Sequence, residues 1–160
     1  MRIDVVHGPN LNLLGEREPA LYGTVTLAEI DARLVSLGRT LGAEVCSFQS
    51  NSEGALIDRL HARRSLADAF ILNPAGYTHT SVALRDAVIA VGRPVVEVHL
   101  SNTDAREPFR RTSLLADVVL GRIQGLGALG YELALRGLVA HLASVTAGTP
   151  PNAVQPGAQR

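Results

Sequence analysis

The 160-residue chain contains no lysine: its fifteen basic residues are all arginine, matched by fifteen acids. That absence excludes imine-forming catalysis, phosphate-loop lysines and lysine general bases. Tryptophan is missing too, and aromatics make up only 4% of the chain, so a flavin ring would find little to flank it. One cysteine, Cys46, cannot close an internal disulfide and fits a reducing, cytoplasmic setting. In its strand-like context it reads as a small buried hydrophobe. A formal net charge of zero gives no electrostatic case for nucleic acid or an anionic membrane. No apolar run approaches the ~20 residues that span a bilayer, and Met1-Arg2-Ile3-Asp4 lacks the makeup of a signal peptide.

What is present describes one ordinary globular domain, 46% hydrophobic and long enough to bury a core. Ile3–His7 reads as a buried strand. Thr26, with Glu29 three residues on, has capping-box spacing, and Leu27, Ile30, Leu34, Leu37 and Leu41 then recur at helical intervals until Gly42. The same reading gives strands at 43–48, 67–72, 95–98 and 118–123, and helices at 54–64, 81–91 and 127–144. Residues 1–145 are expected to form a single domain. Residues 146–160, rich in glycine, proline, alanine and glutamine, are expected to be a disordered tail. Alternating strands and helices predict an α/β fold: a flavodoxin-like, doubly wound, five-stranded parallel sheet with helices on both faces. Such a sheet binds ligands beyond the carboxyl ends of its strands, so functional residues should follow strands.

They do. The stretch Gly8–Gly23 after the first strand is far longer than the usual strand-to-helix connection, and its leucines argue against a solvated linker. It brings together Asn10, Arg17 and Tyr22, and an arginine beside a tyrosine favours the phenolate. Asn73 and His79 follow the third strand; His99, Ser101, Arg106, Arg110 and Arg111 follow the fourth. Guanidinium groups at a strand-end cleft suit a carboxylate or phosphate, although a charge run is also what a solvated face looks like. His7 is read as a hydrogen-bonding residue at the first strand's end. His79 and Asp86 do not make a metal site without further ligands at suitable spacing, and no organic cofactor is expected. Gly125-Leu-Gly-Ala-Leu-Gly130 matches a dinucleotide fingerprint in letters only: no strand ending in an acid follows it, and tight helix–sheet packing explains its glycines. Residue chemistry alone thus points to acid–base work on a small oxygen-rich anion. A flavodoxin-like binding or signalling module, or a lyase or isomerase acting on some other carboxylate, remains open on these grounds.

Four segments narrow the choice. Gly8-Pro-Asn-Leu-Asn-Leu-Leu-Gly15 with Arg17-Glu-Pro19 and Tyr22-Gly23, then Gln49-Ser-Asn-Ser-Glu-Gly54, then Asn73 to Ala87, and finally Glu97-Val-His-Leu-Ser-Asn102 with Arg106 and Arg110, resemble the type II 3-dehydroquinate dehydratases in order and register. The resemblance covers residues 3 to about 143. It implies reversible dehydration of 3-dehydroquinate to 3-dehydroshikimate in the shikimate pathway, through an enolate, with Tyr22 as base and His99 as acid. By the same carry-over, Arg17 lowers the tyrosine pKa on a mobile lid, and Asn10 and Asn73 hold the enolate-side oxygen and a water. His79, Arg110 and Asp86 bind ring hydroxyls, the aspartate from a neighbouring subunit, and Leu100 and Ser101 take the carboxylate. A free tyrosine ionises near pH ~10, so a base near neutrality needs a downward shift of roughly two to three units. The resemblance also implies a homo-oligomer, a dodecamer built from trimers. His7, Asp104 and Thr112 depart from the family pattern. The family's counterpart class uses an imine-forming lysine, and this chain has none.

Overall fold

The structure, a computed structural model, describes residues 1–16 and 24–148. The chain alternates β1 (Arg2–His7), α1 (Leu27–Thr40), β2 (Glu44–Gln49), α2 (Glu53–Arg63), β3 (Ala69–Asn73), α3 (Val82–Val91), β4 (Val95–His99), β5 (Gly121–Gln124) and α4 (Leu129–Thr146). All strand pairs are parallel, in the order β2-β1-β3-β4-β5. This is the flavodoxin-like, doubly wound sheet expected. Its winding reverses between β1 and β3, where His7 pairs in register with Asn73. A crevice opens at that switch point because the connections leaving the two strands diverge to opposite faces.

Side-chain alternation along the strands divides the interior in two. Ile3, Val5, Ile71, Val96 and Val98 face α1 and α4, packing against Ile30, Leu34, Tyr131, Leu135 and Leu138. Val6, Phe70, Leu72 and Val95 face α2 and α3, against Leu56, Leu60, Leu84 and Val88. The central strands β3 and β4 are buried at every position, whereas the edge strands β2 and β5 are mostly half-buried. Cys46 lies on edge strand β2 and is only partly buried, less enclosed than a core hydrophobe.

Local signals act as the sequence implies. Thr26 Oγ1 accepts from the Glu29 N–H at 3.2 Å, and Glu29 Oε2 accepts from the Thr26 N–H at 2.8 Å, completing the capping box. The largest departure is β5, expected from Val118 but paired with β4 only over Gly121–Gln124. The N–H groups of Val118 and Val119 both donate to the Leu115 carbonyl, curling this apolar segment into a turn before it reaches the sheet. The third strand begins two residues later than expected and gains Asn73, and the last helix continues to Thr146, past the expected tail boundary. A Cβ on Gly130 would meet Ile123 and Val98 side chains at 3.4 and 3.5 Å, consistent with a packing role for that glycine.

Candidate active site

Beyond the carboxyl ends of β1, β3 and β4 lies a cavity of about 230 Å³, a size that admits a small metabolite. Its wall is made by the loops after β1, β3 and β4, and the first two are braced on each other and on the loop after β2. The Gly8 N–H donates to the Asn73 carbonyl at 2.7 Å, and a Cβ on Gly8 would lie 2.7 Å from the Pro74 backbone, so only glycine permits this crossing. The Asn10 N–H donates to Asn51 Oδ1 at 2.9 Å, Gln49 Nε2 donates to the same oxygen at 3.0 Å, and the Tyr77 hydroxyl donates to the Asn51 carbonyl at 2.9 Å. Asn10 holds the left-handed region (φ 67°) that asparagine tolerates better than most residues.

Among the expected residues, Asn10, Asn73, His79, His99, Leu100, Ser101 and Arg110 all line the cavity. Asp86 is exposed on α3 and is not among the lining residues of its own chain. Arg17 and Tyr22 lie outside the described residues. Arg106 and Thr103 also line the cavity, and Arg111 is exposed. Of the three arginines after β4, then, two face the site and one faces solvent.

His99 is the site's most elaborately held side chain. Its Nε2 lies 2.7 Å from Glu97 Oε1, on a carboxylate that is wholly buried. Glu97 Oε1 also accepts from Thr78 Oγ1 at 2.5 Å, and Oε2 accepts from Ser113 Oγ at 3.1 Å. Arg122 Nε stands 3.0 Å from Oε2 as an ion pair without an aligned hydrogen bond. Burial alone would raise the Glu97 pKa, but the hydrogen bonds from His99 and Thr78 and the charges of His99 and Arg122 outweigh it and hold the carboxyl below its ordinary range. The carboxylate therefore accepts the Nε2–H of His99 and leaves Nδ1 as the ring atom free to exchange a proton. Glu97 was not singled out from sequence as a site residue. The available signal was its position two residues before His99 on a strand, which puts both side chains on one face.

The ring of His79 is nearly parallel to that of His99, with centroids 6.5 Å apart. Its Nδ1 donates to the Thr112 carbonyl at 2.6 Å, leaving Nε2 as the other polar ring atom. Because that contact is made by backbone, the departure at Thr112 leaves it intact. Asp104 accepts from Gln124 Nε2 at 2.6 Å, so its charge is engaged by an amide rather than set bare beside the cavity. Across the site, Arg110 Nε donates to Glu107 Oε2 at 2.8 Å and Arg106 Nε lies 3.5 Å from the same oxygen. Glu107 is held below its ordinary pKa first by its own backbone N–H and then by Arg110. Both guanidinium groups line the cavity, and their fork geometry suits an anionic ligand. No group of three or more metal-ligating side chains occurs among the described residues.

A family model, "Dehydroquinase class II", matches residues 1–139. The chain is 60% identical over 139 residues to a 3-dehydroquinate dehydratase of Desulforudis audaxviator (strain MP104C), covering 87% of this chain and 93% of the relative. It is 56% identical over 140 residues to a 3-dehydroquinate dehydratase of Pelotomaculum thermopropionicum, covering 88% and 97%. Among solved structures, the type II dehydroquinase from Propionibacterium acnes superposes with a TM-score of 0.84 at 42% identity, covering 87% of this chain and 96% of that one.

Proposed function

This chain belongs to the class II dehydroquinase family, and on that premise we propose that it is a 3-dehydroquinate dehydratase that eliminates water through an enolate, with Tyr22 as base and His99 as acid. Tyr22, as phenolate beside Arg17, removes the proton next to the ketone and leaves an enolate. His99 then passes its Nδ1 proton to the departing hydroxyl, which leaves as water, while Nε2–H stays with Glu97. Transfer of the tyrosine's proton back to the imidazole through solvent resets the pair, and the reverse sequence adds water. The observation that carries this reading is the buried His99–Glu97 pair opening onto a cavity lined by Asn10, Asn73 and two arginines.

Within that scheme Asn10 and Asn73 donate to the enolate-side oxygen and a bound water, because preplaced dipoles stabilise charge where it develops. His79 and Arg110 hold ring hydroxyls, and the N–H groups of Leu100 and Ser101, with the serine hydroxyl, take the carboxylate. Asp86, exposed on α3, reaches the site of a neighbouring subunit in a dodecamer of trimers. Residues 1–145 act as one catalytic domain, and the enzyme serves the shikimate pathway in the cytoplasm. No helix among the described residues is long and apolar enough to cross a membrane.

Purified protein given 3-dehydroquinate, without metal or added cofactor, should produce the ultraviolet absorbance of the conjugated enone. A folded protein that leaves the absorbance flat would sink the assignment. Tyr22→Phe should abolish turnover while retaining substrate binding; a variant that turns over at the parent rate would place the base elsewhere.

A further inference from the structure

The mechanism uses the Glu97 face of the sheet, but a second buried polar chain reaches the cavity from the opposite face. His7 and Asn73, paired in register at the ends of β1 and β3, share the strand parity that points toward α1 and α4. There His7 Nε2 lies 3.0 Å from Asp31 Oδ1 on α1, and His7 Nδ1 lies 3.0 Å from the Tyr131 hydroxyl on α4. Asn73 Nδ2 lies 2.9 Å from the same hydroxyl. His7, Tyr131 and Asn73 are buried, while the Asp31 side chain is 30% exposed.

The polarity of this chain follows from its two ends. The Ala75 N–H donates to Asn73 Oδ1 at 3.1 Å, which fixes the amide so that Nδ2 faces Tyr131 as a donor. The Tyr131 oxygen accepts that bond and must send its own hydrogen to His7 Nδ1. Nδ1 is therefore unprotonated, and the ring's hydrogen sits on Nε2, where the Asp31 carboxylate accepts it. Every donor is matched to an acceptor only in this arrangement. The opposite tautomer, or a doubly protonated ring, would leave the buried tyrosine hydroxyl hydrogen without an acceptor among these groups. Burial, opposed in part by the Asn73 bond, raises the Tyr131 pKa and keeps the hydroxyl a donor. At the cavity end, Ala75 occupies the left-handed region (φ 51°), which places strain in the turn leading to Gly76 and His79. The Asn73 amide, which lines the cavity, is thus gripped on both sides: Oδ1 ties down that turn, and Nδ2 is anchored to the Tyr131 hydroxyl.

We propose that Asp31, His7 and Tyr131 are positioning residues, a one-way hydrogen-bond chain that fixes the Asn73 amide for the elimination. The proposal rests on the dehydratase reading and adds to it three residues that touch no substrate. It also gives His7, a departure from the family pattern, a defined task.

Two measurements test it. In ¹⁵N NMR of histidine-labelled protein, His7 should be the neutral Nε2–H tautomer with Nδ1 accepting; an Nδ1–H form or an imidazolium at neutral pH would overturn the chain. In steady-state kinetics, Tyr131→Phe should lower kcat about tenfold with KM within about twofold, a fraction of what a lost oxyanion donor costs. Added to Asn73→Ala, the same substitution should change kcat by less than about twofold, because its target is gone. Equal losses in both backgrounds would show a role in packing alone. Asp31→Ala, at a partly exposed side chain, serves if Tyr131→Phe fails to fold. It should lower kcat about threefold, KM unchanged, only while Asn73 is present, and an unchanged kcat would contradict the chain. An inactive wild type contradicts the dehydratase function, whereas an active wild type with additive losses, or with His7 in the wrong tautomer, contradicts only the positioning chain.

Discussion

Replacing Glu97 with glutamine is the sharpest probe of how the site is held. The substitution keeps shape and one carbonyl oxygen, so bonds from His99 Nε2 (2.7 Å) and Thr78 Oγ1 (2.5 Å) can persist, but without the charge on the acceptor. Exchanging charge-assisted for neutral hydrogen bonds loses about 1 kcal/mol. The other oxygen becomes an amide donor facing the Arg122 guanidinium, which is 3.0 Å away and 23% exposed. Breaking a fully buried ion pair costs about 3–5 kcal/mol, and the partial exposure of Arg122 brings this down to about 2 kcal/mol. The sum, about 3 kcal/mol, corresponds to a fall in Tm of about 6–12 °C for a chain of this size. Because the imidazole then works against a neutral partner, kcat should drop roughly 10- to 100-fold while KM changes little. Differential scanning calorimetry and initial rates measure the two effects.

The pH dependence of that difference carries its own sign. The folded Glu97 carboxyl lies below its ordinary 4.5, so its contribution is fully present above that pH and is lost as pH falls through the lower folded value. The stability gap between wild type and Glu97→Gln should be constant above about pH 4.5 and close in acid below it. An unchanged Tm with an unchanged kcat, or a gap that widens in acid, would refute the reasoning.

Asp4 is fully buried in the N-terminal half of β1, away from the cavity, and accepts from Arg59 and Arg63 at 2.8 and 2.9 Å. Asp4→Asn should lower unfolding free energy by about 3 kcal/mol in urea titration and leave kcat alone. Gly8→Ala pushes a methyl to 2.7 Å from the Pro74 backbone, which cannot move as a side-chain tip could. It should destabilise by about 1–3 kcal/mol and raise KM, since two cavity loops must separate, and a neutral result by both assays would contradict the crossing described. His79→Ala should raise KM about tenfold, equivalent to the loss of about one hydrogen-bond interaction. Thr112→Ala should not, because His79 bonds that residue's carbonyl; a matching rise in KM would mean that the threonine side chain takes part.

The fold class and most of the cavity wall were legible in the order of residues. Helical periodicity, the Thr26–Glu29 cap and the apolar runs of β1, β3 and β4 are local consequences of residue chemistry, and five parallel strands with covering helices follow from their alternation. The rule that ligands lie beyond strand ends then selected Asn10, Asn73, His79, His99 and Arg110 without coordinates. The extent of β5 was not legible, since whether Val118 pairs or curls depends on a carbonyl at Leu115 rather than on its β propensity. The groups that hold the site residues, by contrast, are brought to them by long-range packing. Glu97 reads as one more strand residue until folding buries it against His99, Thr78 and Ser113, and Tyr131 lies more than fifty residues from Asn73 in the chain. Hydrogen bonds act over about 3 Å, and the residues that satisfy a buried donor are set by which strands and helices pack together, a relation that neighbouring residues in sequence do not encode.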